Sequence, residues 1–245
     1  TPLAASPVPF CQNAGTVPLT ATGSNLLWYT NATGGTPSLN APKPSTSTVG
    51  TTIYYVTQTV NGCESPRLKI DVIIYPLPVA NAGPDKTTFI GQPVMLSGSV
   101  IGNNVSIVWT PPVAITNPTS ATPLVAPSTN TTYVMNVTSA EGCAARDEVN
   151  VIVLKDIIIP NVFSPNGDGI NDKWIITNIE MYTGSRVEIF NRYGQKMAEI
   201  KEYNSSNAWD GTNNGKPLPV GAYYYVIRVP QGRQTIFSGS ISILR

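Results

Sequence analysis

Histidine is absent from the 245-residue sequence. Because histidine is the usual general base of catalytic triads and a common metal ligand, its absence excludes His-based triads, Cys–His dyads and His-ligated metal sites. Charged residues are also few, at 12% of the chain, and the net charge is only +1. This balance gives no indication of a nucleic acid or an anionic membrane as a partner. Carboxylate chemistry and metal ions bound through oxygen remain open.

Long apolar runs are also missing, since no stretch of 18 apolar residues occurs and no membrane-spanning helix is predicted. Thr, Val, Ile and Tyr instead recur in short alternating runs between the 22 prolines and 20 glycines, which favours strands. The chain starts at Thr1 with neither Met nor a signal peptide. This start suggests a fragment, or a mature C-terminal piece of a longer protein.

Residues 1–77 form the first predicted unit. Cys11 is followed by Trp28, by a tyrosine-bearing run and then by Cys63. This is the order of residues in an immunoglobulin-like sandwich, where the tryptophan packs on a disulfide between the two sheets. The order therefore predicts a Cys11–Cys63 disulfide, with two buried free thiols as the alternative.

Residues 78–155 repeat this plan. The spacing from Trp109 to Cys143 is 34 positions, one less than the spacing from Trp28 to Cys63. Such an internal repeat predicts tandem sandwiches. The second copy lacks the earlier cysteine, so we expect Cys143 to be a free, buried thiol.

Residues 156–245 differ from the rest because they hold 17 of the 29 charged residues. Their apolar runs are short and end at Gly, Asn or Pro, which predicts another small antiparallel sandwich of about seven strands. The predicted fold class is therefore all-β, with three tandem antiparallel β-sandwich (Ig-like) domains at 1–77, 78–155 and 156–245.

Four motifs of the last unit occur in the order found in one known family. They are Phe163–Asp172, Ile189–Gly194, Trp209–Gly211 and Pro219–Tyr225. Together they resemble the gliding motility-associated C-terminal domain, which is also called the type B sorting domain of the type IX secretion system. Tyr193 stands where that family often has Trp. The first two units resemble the Ig-like and PKD-like repeats in the stalks of large bacterial surface proteins, through 81–85 and the strands with Trp109 and Tyr133.

The resemblance implies that the terminal domain directs its protein through an outer-membrane translocon to the cell surface. It implies two partners, namely the type IX secretion translocon and a dedicated outer-membrane partner protein. Cargoes of this system include large gliding adhesins built from repeats. We therefore expect the C-terminal portion of a secreted, adhesin-like surface protein, with no enzyme activity, no nucleic acid partner and no small-molecule substrate.

The loop Ser164–Asp172 partly fits an EF-hand-type calcium loop. The candidate calcium ligands are the side-chain oxygens of Asn166, Asp168, Asn171 and Asp172. The fit is incomplete because Ser164 stands at the first ligand position and Ile175 stands where a bidentate Glu is needed. The alternative is a purely structural turn, in which these side chains accept hydrogen bonds from backbone N–H groups. No other cofactor is predicted.

Candidate partner-binding residues follow from exposure and charge. They are Tyr224, Arg186, Arg192, Lys196, Lys201 and Arg228. Tyr224 is chosen because strand alternation places it on the face opposite Tyr223 and Tyr225. The basic residues form either a docking face for a translocon or, as is more common, a solvated sheet face with interspersed acids.

Two other functions remain open. One is a carbohydrate-binding module of a secreted polysaccharide-degrading protein, with Trp209 as a platform for a sugar. The scattered acidic residues argue against it, and Trp209 is expected to be a core residue followed by an Asp-Gly turn. The other is a pure structural spacer, which the charge-rich terminal unit argues against.

Overall fold

The computed structural model describes all 245 residues and is almost entirely β-structure. It contains 21 strands and one short 3-10 turn at Ile179–Met181. The structure has no helix with the length and apolar character needed to cross a membrane. The chain divides into two compact units, which are Thr1–Lys86, Pro93–Val125 and Thr131–Val151, and Thr87–Gln92, Ala126–Asn130 and Ile152–Arg245. The all-β class is confirmed, and the count of three tandem sandwiches stays a prediction.

The N-terminal part of the first unit is a five-stranded sheet. Its strands are β1 (Val8–Cys11), β2 (Leu26–Tyr29), β3 (Gly50–Val60), β4 (Cys63–Glu64) and β5 (Leu68–Tyr75). The order across the sheet is β1-β5-β3-β2, and β4 pairs with β3. Strand β1 runs parallel to β5, and the other pairs are antiparallel. Alternate residues of β5 point inward, so the core consists chiefly of Ile70, Val72, Ile74, Val56 and Trp28.

The next nine strands carry a separate hydrophobic core. They are β6 (Val79–Asn81), β7 (Lys86–Phe89), β8 (Val94–Met95), β9 (Ser99–Ile101), β10 (Ser106–Thr110), β11 (Ile115–Thr116), β12 (Leu124–Val125), β13 (Thr131–Thr138) and β14 (Ala144–Leu154). They form sheets of order β10-β13-β14-β7, β11-β12-β8 and β6-β9. Trp109 on β10 lies opposite Met135, as Trp28 on β2 lies opposite Val56. The two tryptophan strands therefore have equivalent places beside a tyrosine-bearing strand.

The predicted Cys11–Cys63 disulfide is wrong. Cys11 is bonded to Cys143, with their Cα atoms 5.5 Å apart, and Cys63 is an exposed free thiol. Cys143 is buried, as expected, but it is not free. The bond ties the first sheet to the turn that precedes β14.

The strand register explains the different pairing. Cys11 lies beside Tyr75 at the end of β5, whereas Cys63 follows the far end of β3, beyond the level of Leu68 at the start of β5. The eight residues of β5 span about 23 Å at roughly 3.3 Å per residue. A disulfide requires Cα atoms within about 7 Å, so the two cysteines cannot meet. The order of residues along the chain did not reveal that Cys11 ends its strand.

The second unit is built on another five-stranded sheet. The strands that follow β14 in the chain are β15 (Val162–Phe163), β16 (Arg186–Phe190), β17 (Lys196–Lys201), β18 (Thr212–Asn213), β19 (Lys216–Pro217), β20 (Gly221–Arg228) and β21 (Ile236–Ile243). The sheet order is β15-β21-β20-β16-β17, and β18 and β19 form a separate hairpin. One face of the sheet packs on a core that includes Val187, Ile189, Ile227, Ile241, Trp174, Tyr203 and Trp209. The opposite face bears the polar residues of the central strands.

Candidate functional site

The Asn/Asp-rich loop is held by hydrogen bonds from its side chains to its own backbone. Asp172 Oδ1 accepts the N–H of Gly167 at 2.6 Å, and its Oδ2 accepts the N–H of Gly169 at 2.8 Å. Asp168 Oδ1 accepts the N–H of Ile170 at 2.7 Å. Gly167 and Gly169 have φ angles of 84° and 86°, in the left-handed region that favours glycine. These bonds are the ones that the turn interpretation predicts.

The same bonds bear on the calcium prediction. The N–H groups of Gly167 and Gly169 lower the pKa of the Asp172 carboxyl, which keeps it charged as a calcium ligand must be. Asp168 and Asp172 are the only acids of the loop, and no group of three or more His, Cys, Asp or Glu that could hold a metal occurs in the structure. Calcium loops with high affinity add a bidentate Glu. Binding by Asn166, Asp168, Asn171 and Asp172 therefore stays a prediction.

Tyr203 joins the two tryptophans of the C-terminal core. Its hydroxyl donates to the carbonyl of Trp174 at 2.5 Å and accepts the N–H of Trp209 at 2.9 Å. Burial raises the pKa of this hydroxyl well above its usual value. Trp209 is buried and its indole N–H donates to the carbonyl of Thr212 at 2.9 Å. Trp209 is thus a core residue, as the main interpretation predicted, and it offers no exposed platform.

The outer face of the C-terminal sheet carries five of the six predicted partner-binding residues. Three rows of side chains cross β17, β16 and β20 in that order. The rows are Lys196–Phe190–Tyr224, Glu199–Glu188–Val226 and Lys201–Arg186–Arg228. The sixth residue, Arg192, lies in the turn between β16 and β17. Strand pairing thus brings together residues that lie up to 42 positions apart in the sequence.

Two glutamates that sequence analysis missed organise this face. Glu188 and Glu199 lie directly opposite each other, which is unfavourable without a counter-charge. Arg186 contacts Glu199 at 2.6 Å and Glu188 at 3.5 Å, while Lys196 contacts them at 2.6 Å and 3.2 Å. Arg228 also pairs with Glu188. The two-residue spacing of Arg186 and Glu188 indicated a shared face, but only the register shows that Glu199 joins them.

The charges on this face do not cancel. Burial raises the pKa of Glu188, which is only 8% exposed, but hydrogen bonds from Lys196 and Arg228 outweigh burial and hold this pKa below its usual value. Lys201 and Arg192 form no ion pair. Two charged glutamates thus oppose five cations, and the face together with its turn remains positive.

A groove borders the outer face. It has a volume of about 470 Å³, and its lining includes Arg192, Tyr193, Val220 and Tyr224. Tyr224 is 48% exposed and Tyr193 is 79% exposed, while Tyr223 is buried, as strand alternation predicts. The guanidinium of Arg192 lies 5.0 Å from the centre of the Tyr193 ring, within the range of a cation–π interaction. Two of the predicted residues, Tyr224 and Arg192, therefore share one groove.

Two family models match this chain. Residues 157–243 match the CHU_C type IX secretion signal domain, and residues 1–76 match the Ig-like domain associated with CHU_C. The chain is therefore an exported protein with a sorting signal in its C-terminal region. The match at residues 157–243 is to a signal that implies interaction with the type IX secretion machinery and export across the outer membrane to the cell surface or extracellular space. A sorting signal and an Ig-like domain both point to a non-enzymatic role.

Three of the similar solved structures have low sequence identity to this chain. The N-terminal eight Ig domains of Down Syndrome Cell Adhesion Molecule are 14% identical with a TM-score of 0.39, and the match covers 98% of this chain and 42% of that one. The D00-D0 domain of Intimin is 10% identical with a TM-score of 0.39, covering 69% and 100%. The Bacteroides ovatus protein SGBP-B, in complex with a mixed-linkage heptasaccharide, is 18% identical with a TM-score of 0.25, covering 98% and 66%. No curated protein matches the chain.

Proposed function

We propose that this chain is the C-terminal portion of an adhesin-like surface protein, in which the Ig-like domains form a stalk. The type IX translocon and a dedicated outer-membrane partner protein recognise its sorting domain. The equivalent strands around Trp28 and Trp109 support the stalk, since tandem copies of one domain are a common way to build an extended spacer. The contrast between this low-charge repeat and the charge-rich sorting domain supports a division between spacer and signal.

The docking surface of the signal is the outer sheet face with its bordering groove. The observation that carries this proposal is the row Lys201–Arg186–Arg228, in which three cations lie directly beside one another. Like charges in cross-strand pairs are unfavourable, and Lys201 in this row has no ion pair that would offset them. An acidic partner surface would be attracted to this row, and the exposed Tyr224 would serve as an aromatic anchor for it.

Export of a fluorescent reporter fused to the chain tests the proposal. The docking variant carries Arg192→Glu and Lys201→Glu, because neither side chain forms an ion pair that folding would lose. A control variant with Lys173→Glu and Lys216→Glu makes the same change in net charge outside the outer face. We expect the docking variant to remain in the periplasm and the control to reach the cell surface.

Removal of residues 156–245 sets the lower limit of the assay. We expect a reporter without these residues to show no surface display. Normal display of that truncated chain would refute the assignment of the signal. Normal display of the docking variant would refute only the assignment of the outer face. If the loss of display in the docking variant depends on co-expression of the outer-membrane partner, the outer face is recognised by that partner.

A further inference from the structure

Trp28 differs from the other three tryptophans of the chain. Trp109, Trp174 and Trp209 each donate the indole N–H to a backbone carbonyl, at 2.9, 2.7 and 2.9 Å. Trp28 is only 4% exposed, yet its indole N–H has no acceptor within the protein. The nitrogen is not sealed in the core either, because Arg186 Nε is the one fully buried side-chain nitrogen or oxygen without a partner. The Trp28 indole N–H is therefore a donor without a protein partner in a side chain that is almost completely buried.

Trp28 also lines a small cleft of the N-terminal Ig-like domain. Its volume is about 140 Å³, and its lining includes Trp28, Tyr54, Thr30, Thr36, Ser38 and Asn40. With Tyr29, which also lines the cleft, three aromatic residues lie beside a rim of hydroxyl and amide groups. No charged side chain lines the cleft. A mixture of aromatic and neutral polar groups around one cavity is typical of a ligand-binding site.

The loop that forms the rim is fixed to the sheet at two points. Ser38 and Trp28 exchange two backbone hydrogen bonds of 2.9 Å, so the loop pairs with the free edge of β2. The guanidinium of Arg67 lies 3.6 Å from the centre of the Tyr29 ring and donates to the carbonyl of Gly34 at 2.7 Å. A rim held in this way loses little conformational freedom when it binds a ligand.

We propose that this cleft binds one neutral sugar ring of a glycan. The ring or hydroxyl oxygen of a sugar supplies the acceptor that the Trp28 N–H lacks, whereas an apolar ligand would leave this donor unpaired. The exposed Thr36 and Asn40 can pair with sugar hydroxyls, and the half-buried Tyr54 can contact the apolar face of the ring. The lack of charge favours a neutral ligand, and the volume, below the roughly 300 Å³ of most ligand pockets, limits it to one ring.

Indole N–H signals in nitrogen–proton correlation spectra of the full chain provide the test. Trp28→Phe identifies the Trp28 signal by its loss, and through-space contacts in the unsubstituted chain assign the signal if this variant fails to fold. D-glucose, D-galactose and D-mannose are titrated separately, with acyclic sorbitol and charged D-glucuronate as controls. We expect at least one of the three sugars to move the Trp28 signal saturably, while the other three indole signals stay in place and the two control compounds move none.

A variant of the exposed rim locates the contact. Thr36→Ala combined with Asn40→Ala should weaken binding about fivefold or more, since two hydrogen bonds are lost without any change in the core. Ser238→Ala combined with Ser240→Ala, on exposed positions of the other unit, should leave affinity unchanged. The proposal is overturned if no sugar moves the Trp28 signal, if sorbitol or glucuronate moves it equally, or if the rim variant binds as tightly as the unsubstituted chain. Loss of export would affect none of these measurements, so the sorting proposal fails or stands separately.

Discussion

Replacing Cys143 with Ser should destabilise the first compact unit, whereas replacing Cys63 with Ser should not. The Cys11–Cys143 bond joins residues that are 132 positions apart. Closing so long a loop removes much conformational freedom from the unfolded chain, which raises the free energy of unfolding. Cys63 is an exposed free thiol at a hairpin, so its substitution removes no bond and little packing.

The size of the effect follows from the length of the loop. The chain-entropy relation gives about 5 kcal/mol for about 130 residues, and measured disulfides typically contribute about 2–4 kcal/mol. At roughly 2–4 °C per kcal/mol for a unit of this size, the melting temperature should fall by about 4–16 °C. Most of the first compact unit lies inside the closed loop, so the loss should appear in the melting transition of that unit.

Thermal unfolding followed by circular dichroism, with and without a reductant, is the assay. We expect Cys143→Ser to melt like the reduced unsubstituted chain, and Cys63→Ser to melt like the oxidised one. Mass spectrometry of a non-reduced digest should find the Cys11 peptide linked to the Cys143 peptide. A Cys11–Cys63 linkage, or a lower melting temperature for Cys63→Ser than for Cys143→Ser, would refute the reasoning.

Three further substitutions test the C-terminal unit. Glu188→Gln should lower the free energy of unfolding at neutral pH by about 1–3 kcal/mol, because hydrogen bonds to a charged group are lost. The folded state lowers the pKa of Glu188, so the charged carboxylate stabilises the fold at pH values above its unfolded pKa near 4.3. This stabilisation is lost as the pH falls through the pKa of the folded state. Urea titrations of Glu188→Gln and of the unsubstituted chain should therefore give the same free energy of unfolding in acid. Tyr203→Phe should cost about 1–3 kcal/mol, since the buried Trp174 carbonyl and Trp209 N–H lose their partner. Asp172→Ala should lower the melting temperature, and calcium should raise it only in the unsubstituted chain if the loop binds calcium.

Matched control variants separate these effects from a general loss of stability caused by any substitution. Glu180→Gln removes an acid of the same unit for which no ion pair is seen, and it should leave the free energy of unfolding at neutral pH nearly unchanged. Phe237→Tyr adds a hydroxyl at a partly buried ring without removing a hydrogen bond, and it is the control for Tyr203→Phe. A melt of the unsubstituted chain that calcium does not change would leave only the turn interpretation of the loop.

Local pattern was sufficient for the strands and for the sorting domain. The alternation in β5 and β20 follows directly from the sequence, because residues two positions apart share a face of a strand. Tyr224 was therefore expected to be exposed beside the buried Tyr223, as the structure shows. The motif order from Phe163 to Tyr225 likewise indicated the family that residues 157–243 match.

Contacts between strands that are distant in sequence were not predictable in the same way. The partner of Cys11 depends on where β1 lies along β5, and the parallel pairing of these strands has no local sequence signal. Glu199 joins Glu188 through the register of β16 and β17, which includes a bulge at Ile189 and Phe190. Whether the Trp28 indole N–H has an acceptor depends on the atoms that surround one nitrogen in the folded protein, and no spacing of residues in the sequence can reveal that.

The Cys11–Cys143 bond also determines how the chain would respond to tension. Force applied at the two chain ends would pass through the sulfur atoms and bypass the residues between them. Only residues 1–11 and 143–245 could then be drawn out, to about 400 Å at roughly 3.5 Å per residue, against about 850 Å for the reduced chain. The intact bond would thus keep the tether short and shield most residues of the first compact unit from load, and reduction would more than double its reach.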